Sequence, residues 1–193
     1  MKKTGLGSDG IRNGDIVRNA ALFTPLLTHL VNLMIKNSHI PQGLKTSSIT
    51  PLFKKGKPDE LRNYRPVGNL PIIEKVLEKH LNNLTKKYLE ENSILPEFQH
   101  GFQSGKSTIT LLQDFADQIN TALDKRQCVV VLLLDLSFVF DTLDHTVLLK
   151  KFEEVGMSHD IFKNYLEGRK QVTRIGDATV GSCLYVKGRF KEG

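Results

Sequence analysis

The sequence has few of the residues on which cross-linked and membrane-embedded folds depend. Its 193 residues include no Trp and only two Cys, so neither a disulfide framework nor a Cys-rich zinc site is available. The longest apolar run, Val129 to Leu134, is far too short to cross a bilayer. The first residues, Met1 to Gly7, lack the apolar core of a signal peptide. These absences predict an intracellular protein without a membrane segment, and they do not distinguish the nucleus from the cytoplasm.

The composition that remains is typical of a folded, basic domain. Hydrophobic residues make up 39% of the chain and charged residues 25%, and a chain of this length can bury roughly 70% of its unfolded surface. Lys and Arg outnumber Asp and Glu by 27 to 21, which favours a polyanionic partner without naming it. A short segment with Pro and Gly and no helical period holds a cluster of cations: Lys54, Lys55, Lys57, Arg62 and Arg65. A basic loop of this kind predicts a groove for phosphates.

Hydrophobic periodicity predicts mostly helices. Apolar residues at three- and four-residue steps indicate helices over 16–36, 71–91, 108–123, 144–155 and 162–166, with a kink or a new first turn at Pro25. β-branched and alternating residues indicate a short strand over 47–53 and a hairpin over 171–186. The apolar run from Cys128 to Leu134 predicts a buried strand. Together these elements predict an α+β or mixed α/β fold, helix-rich with a small sheet.

Asp135 is the sharpest candidate for chemistry, because it ends the apolar run. A carboxylate at the end of a buried strand lies beside low-dielectric packing, where an unpaired charge is expensive. It can therefore bind a hard cation such as Mg²⁺, or it can cap the turn that follows, and the pattern favours neither interpretation. The next carboxylates, Asp141 and Asp144, are more typical of a turn and of a helix cap than of metal ligands.

The segment from Gly101 to Ser107 is similar to a phosphate-binding P-loop but departs from its spacing. A P-loop needs a first glycine at the position that His100 occupies, and no apolar strand precedes the segment. Nucleotide hydrolysis, which the substitution Lys106→Ala would abolish, is therefore weakly supported. The glycines, Lys106 and the helix N-terminus that follows still suit an anion.

Five blocks of the chain follow one another in an informative order. They are 7–11 (GSDGI), 50–56 (TPLFKKG), 63–67 (NYRPV), 99–108 (QHGFQSGKST) and 134–145 (LDLSFVFDTLDH), and 168–171 (GRKQ) continues the series. In this order and spacing the chain resembles the reverse transcriptases of non-LTR retrotransposons, of the LINE or jockey-like kind. The resemblance covers almost the whole chain, and it is the series of blocks rather than any single one that makes it specific.

The resemblance implies an incomplete right-hand polymerase fold. Residues 1–126 would form a fingers-like region with helices of the palm, 127–193 would form a partial palm, and the thumb would be absent. The implied activity is RNA-directed DNA synthesis with an RNA template, a DNA primer, deoxynucleoside triphosphates and Mg²⁺. Asp135 would be the first catalytic, metal-binding carboxylate, and Phe140 the aromatic side chain that excludes a ribose 2′-hydroxyl.

The same resemblance assigns two further groups of residues. The incoming nucleotide would be bound by Lys54, Lys55, Arg65 and Phe140. The template or its phosphates would be bound by Gln99, Gly101, Phe102, Gln103 and Lys106.

Three departures from the family pattern predict weak or absent catalysis. Phe138-Val139 replaces Lys-Ala, and Gln103 and Lys106 replace Arg, which removes bidentate phosphate donors. No Asp-Asp pair occurs in the 193 residues, and a single carboxylate is expected to bind Mg²⁺ only weakly. The expectation is a chain truncated before a Tyr-x-Asp-Asp motif and inactive alone. The alternative is a non-catalytic RNA-binding module that uses the same basic loop.

Overall fold

The described part of the chain contains six α-helices, five strands and two short 3₁₀ helices, Gln42–Lys45 and Leu61–Asn63. The computed structural model describes residues 9–135, 143–175, 178–186 and 189–190. The helices are α1 (Asn13–Arg18), α2 (Ala20–Lys36), α3 (Ile72–Glu91), α4 (Thr108–Asp124), α5 (His145–Glu154) and α6 (Asp160–Leu166). The strands are β1 (Thr46–Phe53), β2 (Tyr64–Asn69), β3 (Lys170–Ile175), β4 (Ala178–Val186) and β5 (Arg189–Phe190). The expectation of a helix-rich fold with a small sheet is confirmed.

The strands form a small mixed sheet in the order β2-β1-β3-β4-β5. β1 is antiparallel to β2 and parallel to β3, and the expected hairpin is present as antiparallel β3 and β4. Parallel strands need a crossover connection, and the chain between β1 and β3 includes β2 and the helices α3 to α6. β2 was not predicted, because Pro66 and Gly68 are poor strand residues. Pro66 is tolerated there because β2 is an edge strand.

The chain divides into two compact units, Met1–His80 with Phe138–Gly193, and Leu81–Ser137. The boundary falls within α3, so the first unit holds the sheet, α1, α2, α5 and α6, and the second holds α4. Buried apolar side chains of the first unit come from α2, α3, α6, β1 and a connecting segment: Val31, Met34, Ile40, Ile49, Ile72, Leu77 and Ile161. The division into 1–126 and 127–193 stays a prediction.

The helix starts follow the expected capping chemistry. Pro71 directly precedes α3. Ser107 caps α4 through a reciprocal pair, in which the Thr110 N–H donates to Ser107 Oγ at 3.3 Å and the Ser107 N–H donates to Thr110 Oγ1 at 2.9 Å. Asp144 caps α5, since its Oδ1 accepts the Thr146 N–H at 2.7 Å. The interpretation of Asp144 as a helix cap is confirmed.

The helix predicted over 16–36 is broken, but not at Pro25. The break lies at Asn19, whose φ of −115° and ψ of 34° are outside the helical region. Pro25 lies inside α2, where it is exposed. Proline has no N–H to donate to the carbonyl one turn earlier in the helix. Because this stretch of α2 is exposed, water can bind that carbonyl instead, so the helix tolerates the proline. None of the described helices is long and apolar enough to span a membrane.

The apolar run from Cys128 to Leu134 differs most from its expected structure. It forms no strand, and its side chains are exposed, with Val130 93% and Leu133 87% accessible. An apolar strand becomes buried when neighbouring strands pair with it and other layers cover it. In the described part of the chain, β1 to β5 pair with one another instead. The prediction of a buried strand ending at Asp135 is therefore wrong, and Asp135 lies in an exposed irregular segment.

Candidate nucleic-acid interface

The connection between β1 and β2 carries most of the clustered cations. We call residues 54–63, together with Arg65 near the start of β2, the basic hairpin. Lys54, Lys55, Lys57 and Arg65 are all exposed. The antiparallel pairing of β1 with β2 brings Arg65 to the same end of the sheet as these lysines. The predicted nucleotide-binding cations of this segment therefore lie together on one hairpin.

The backbone of the basic hairpin is fixed by its own polar groups. The Lys54 N–H donates to the Asn63 carbonyl at 2.8 Å, and Asn63 Nδ2 donates to the Lys57 carbonyl at 2.9 Å. The Tyr64 hydroxyl donates to the Pro58 carbonyl at 2.9 Å. These bonds use backbone, amide and hydroxyl groups, so none of them occupies a lysine ammonium group. The result is an ordered tip with exposed positive charge.

Residues 97–107, which we call the 97–107 loop, contain the predicted template-binding residues. Gln99, Gly101 and Phe102 are exposed, and Gln103 and Lys106 are half-buried. Lys106 Nζ donates to the Glu97 carbonyl, so its ammonium group closes the loop upon itself. In a P-loop this lysine would contact the nucleotide phosphates. Its contact with Glu97, like the missing first glycine, therefore argues against a P-loop.

His100 attaches the 97–107 loop to α4. Its side chain is only 7% exposed, with Nε2 3.1 Å from Asp114 Oδ2 and Nδ1 3.0 Å from Thr110 Oγ1. Both ring nitrogens thus have a partner on the first two turns of α4. The histidine at the position of the missing P-loop glycine is a structural attachment point.

The first unit also contains a buried charge cluster, formed by Lys45, Glu74, Glu78, Tyr165 and Arg169. Arg169 Nη1 donates to Glu74 Oε1 at 2.6 Å, and its guanidinium lies 4.5 Å from the centre of the Tyr165 ring. The Tyr165 hydroxyl donates to Glu78 Oε1. Lys45 Nζ donates to two carbonyls at the C-terminal end of α6, where the helix dipole favours a cation. The cluster joins α3 and α6 to the segments that begin β1 and β3.

Burial dominates the electrostatics of this cluster. Glu74 has no exposed surface, and its Oε2 has no hydrogen-bond partner among the described residues. Burial raises the pKa of Glu74 although the Arg169 guanidinium opposes the change. Burial also lowers the pKa of Lys45, with the charge of Glu167 acting in the opposite direction. It raises the pKa of Tyr165, so its hydroxyl remains a hydrogen-bond donor.

The sequence analysis did not identify this cluster, although a signal was present. Glu74 precedes Leu77 by three residues and Leu81 by seven, so it lies on the apolar face of α3. A carboxylate at such a position needs a buried cation as its partner. Arg169, in the last block of the resemblance, is that partner, but the two are 95 positions apart in the sequence and only the fold brings them together.

Comparison with known proteins decides the family. A model of the reverse transcriptase (RNA-dependent DNA polymerase) family matches residues 53–188. The chain belongs to this family. The resemblance to non-LTR retrotransposon reverse transcriptases is confirmed by relatives among the polymerases of such elements.

Three relatives give the extent of the similarity. The probable RNA-directed DNA polymerase from transposon X-element of Drosophila melanogaster is 32% identical over 164 residues, 83% of this chain and 18% of that protein. The RNA-directed DNA polymerase from mobile element jockey of Drosophila funebris is 30% identical over 75% of this chain and 16% of its own length. The Pol polyprotein from type-1 retrotransposable element R2 of Popillia japonica is 27% identical over 100% of this chain and 26% of its own length. This chain thus spans about a fifth of the length of these relatives.

Reverse transcriptases generally use a divalent metal, and Asp135 is the residue predicted to hold it here. Asp135 is exposed and lies in the second unit, whereas the basic hairpin lies in the first. Phe140 and Asp141 lie outside the described residues. Within the described ranges, no group of three His, Cys, Asp or Glu side chains could hold a metal ion. Mg²⁺ in proteins is commonly bound by one or two carboxylates together with waters and substrate phosphates, and Asp135 is the described residue that is predicted for this role.

Proposed function

We propose that this chain supplies the nucleotide- and template-binding side of an RNA-directed DNA polymerase of a non-LTR retrotransposon. The proposal depends on one observation, which is that exposed cations stand on a hairpin tip whose backbone is already fixed. A site that is ordered before binding loses little conformational freedom when it takes up an anion. In a right-hand polymerase, residues 1–126 would belong to the fingers and the helices of the palm, and 127–193 to the first part of the palm.

The chemistry of the basic hairpin suits phosphates. The ammonium groups of Lys54 and Lys55 would neutralise phosphate oxygens of a deoxynucleoside triphosphate or of the RNA template. The planar guanidinium of Arg65 can donate to two oxygens of one phosphate, which orients the phosphate as well as attracting it. These three residues are the cations that we propose to bind the incoming nucleotide.

The 97–107 loop would contact the template strand. Gln99, Gly101, Phe102 and Gln103 would face the strand itself. Lys106 now donates to the Glu97 carbonyl, so its ammonium group must leave that carbonyl before it reaches a phosphate. The family pattern has Arg where this chain has Lys106. The ammonium group of Lys106 would attract a phosphate as a point charge, whereas an arginine could donate to two of its oxygens.

We expect the 193-residue chain by itself not to polymerise. Asp135 and Phe140 remain our proposed catalytic carboxylate and nucleotide gate, but the sequence contains no Asp-Asp pair that would complete a metal site. The measurement is primer extension by the purified chain on an RNA template with Mg²⁺ and all four deoxynucleoside triphosphates. Template-dependent synthesis that is lost in Asp135→Asn would show that the chain is a complete catalyst.

The binding proposal is tested by the salt dependence of RNA affinity. Each phosphate contact contributes about 0.7 to the slope of log affinity against log salt for a single strand. We expect the double variant Lys54→Ala/Lys55→Ala to bind RNA more weakly and to lower that slope by about 1.4. The matched control is Lys36→Ala, which removes an exposed lysine from the last turn of α2. Equal slopes for the wild type, the double variant and the control would contradict the proposal.

A second candidate function is a non-catalytic RNA-binding module. The basic hairpin would serve this function equally, because its exposed cations can bind phosphates without a metal ion. It predicts the same loss of RNA affinity in the hairpin variants, but no effect of deoxynucleoside triphosphates on the affinity. Tighter RNA and primer binding in the presence of a deoxynucleoside triphosphate would favour the polymerase proposal instead.

A further inference from the structure

Two phenylalanine side chains of the 97–107 loop are largely in contact with solvent. Phe98 is 82% and Phe102 80% exposed, and they are the most exposed aromatic residues in the part of the chain that the structure describes. Leaving a ring of this size in water forgoes a substantial hydrophobic gain. Neither residue belongs to the apolar face of a helix, so periodic packing does not account for them.

The loop holds these two residues in place. His100, which lies between them in sequence, is buried and contacts Asp114 and Thr110 of α4. The Gln99 N–H donates to the Pro96 carbonyl at 3.1 Å, which closes a turn around Phe98. His100 therefore fixes the centre of the loop, and one exposed ring lies on each side of it in the sequence.

The backbone at Phe102 carries strain that points to a use. Its φ is +62°, in the left-handed region that a bulky side chain rarely adopts. Such conformations persist only where the surrounding structure determines them, and they are concentrated at binding and active sites. Phe102 combines this backbone conformation with a ring that is 80% exposed.

We propose that Phe98 and Phe102 form a stacking platform for unpaired bases of a single-stranded RNA, with His100 as the residue that positions it. Stacking on aromatic rings is the way in which proteins bind bases of any identity in a single strand. Four residues span at most about 14 Å, so the two rings serve bases within one short stretch of strand. The inference rests on the proposed function, and it adds Phe98 and the chemical group that the loop recognises.

The test compares an unstructured RNA of about 12 nucleotides with a matched strand whose central nucleotides are abasic. The two strands share their phosphates and differ in the stacking groups. We expect the wild-type chain to bind the complete RNA about tenfold more tightly than the abasic strand, and the double variant Phe98→Leu/Phe102→Leu to bind both alike. Leu keeps an apolar side chain and removes the ring. The salt dependence should be unchanged in this variant, because no phosphate contact is lost.

The outcomes separate this inference from the proposed function. If the wild type and the Leu variant show the same preference for the complete strand, or the wild type shows none, the stacking platform is wrong. Salt-dependent binding that still needs the basic hairpin would leave the proposed function intact in that case, whereas no binding of either strand would overturn both. A Leu variant that changes oligomeric state and leaves RNA affinity alone would assign the two rings to a protein contact.

His100 has its own test as a positioning residue. His100→Ala removes the contacts of the ring with Asp114 and Thr110 of α4 and leaves both phenylalanine rings unchanged. We expect it to reduce the preference for the complete strand several-fold while the helical circular dichroism signal of the whole chain is kept. An unchanged preference would show that the loop does not need His100 to present the two rings.

Discussion

Arg169 is the side chain that compensates the buried charge of the first unit. Its guanidinium donates to Glu74, which has no exposed surface, and also covers the ring of Tyr165. A buried ion pair adds little stability compared with apolar residues of the same size. Removal of one partner, however, leaves the other charge without solvation, and that loss is large.

We therefore expect Arg169→Met to lower the free energy of unfolding by about 3–5 kcal/mol. The double variant Glu74→Leu/Arg169→Met should be much closer to wild type, because it leaves no unpaired buried charge. Urea denaturation of the three proteins gives the comparison. Equal destabilisation of the single and the double variant would mean that packing, and not charge, accounts for the loss.

The raised pKa of Glu74 gives this cluster a pH dependence. The ordinary pKa of Glu74 is near 4.5, and its pKa in the folded chain is higher. At a pH between these two values, Glu74 holds a proton in the folded chain and has released it in the unfolded chain. The contribution of Glu74 to stability is therefore complete below pH 4.5 and is lost as the pH rises through the folded pKa.

Glu74→Gln removes this dependence, since Gln does not titrate. We expect the wild type to lose stability relative to Glu74→Gln as the pH rises from about 4 to about 8, by at most about 1.4 kcal/mol per pH unit. Urea unfolding of both proteins across this range measures the difference. A difference that stays constant, or that changes in favour of the wild type, contradicts a raised pKa.

The sequence predicts single residues well where the partner is local. The cap Asp144 was predicted because its partner is the first turn of the same helix. Glu74 and Arg169 were not, because 95 residues separate them and no periodic pattern pairs a carboxylate on one helix with a cation beyond another. The roles of Asp135 and Lys54 are implied only by the family resemblance, and they stay predictions.

At the scale of elements, the basic hairpin depends on one glycine. Gly56 has a φ of +97°, and a Cβ there would lie 2.6 Å from Asn63 Nδ2, the group that donates to the Lys57 carbonyl. Any other residue must adopt a left-handed conformation and displace the Asn63 amide.

Gly56→Ala should therefore lower the free energy of unfolding by about 2 kcal/mol and weaken RNA binding. The matched control is Gly43→Ala, since a Cβ at Gly43 would meet nothing within 4 Å and its φ is not positive. The control should stay within about 0.5 kcal/mol of wild type. Thermal denaturation and fluorescence anisotropy with labelled RNA measure the two effects, and equal behaviour of both variants would show that the hairpin needs no glycine.

Elements were predicted where a periodic pattern within one segment of the chain marks them. α3, α4 and the β3–β4 hairpin appear where periodicity placed them. The run from Cys128 to Leu134 has the composition of a buried strand but no strand beside it in the described residues, because pairing is a property of two segments. β2 was missed for the opposite reason, since pairing with β1 overrides the poor strand preference of Pro66 and Gly68.

At the scale of the whole molecule, the exposed apolar run should govern self-association. Val130, Leu132, Leu133 and Leu134 are each more than three-quarters exposed, and a contiguous apolar segment of this kind associates in water. We expect Val130→Lys/Leu132→Lys to reduce the molecular mass seen by light scattering at high protein concentration. Asn82→Lys adds a charge at an exposed polar position and is the control. Equal association of all three proteins would place the contact elsewhere.

The parallel pairing of β1 with β3 also affects how the protein is made. The partners Thr46 and Lys170 are 124 positions apart, so at about 5–20 residues per second β1 leaves the ribosome roughly 6 to 25 s before the strand beside it exists. During that interval β2 is the strand with which β1 can pair, because β3 has not yet been synthesised. A two-stranded hairpin by itself is marginally stable in water. Translation speed and chaperones that bind nascent chains should therefore influence the yield of this protein more than they influence a helical bundle of equal length.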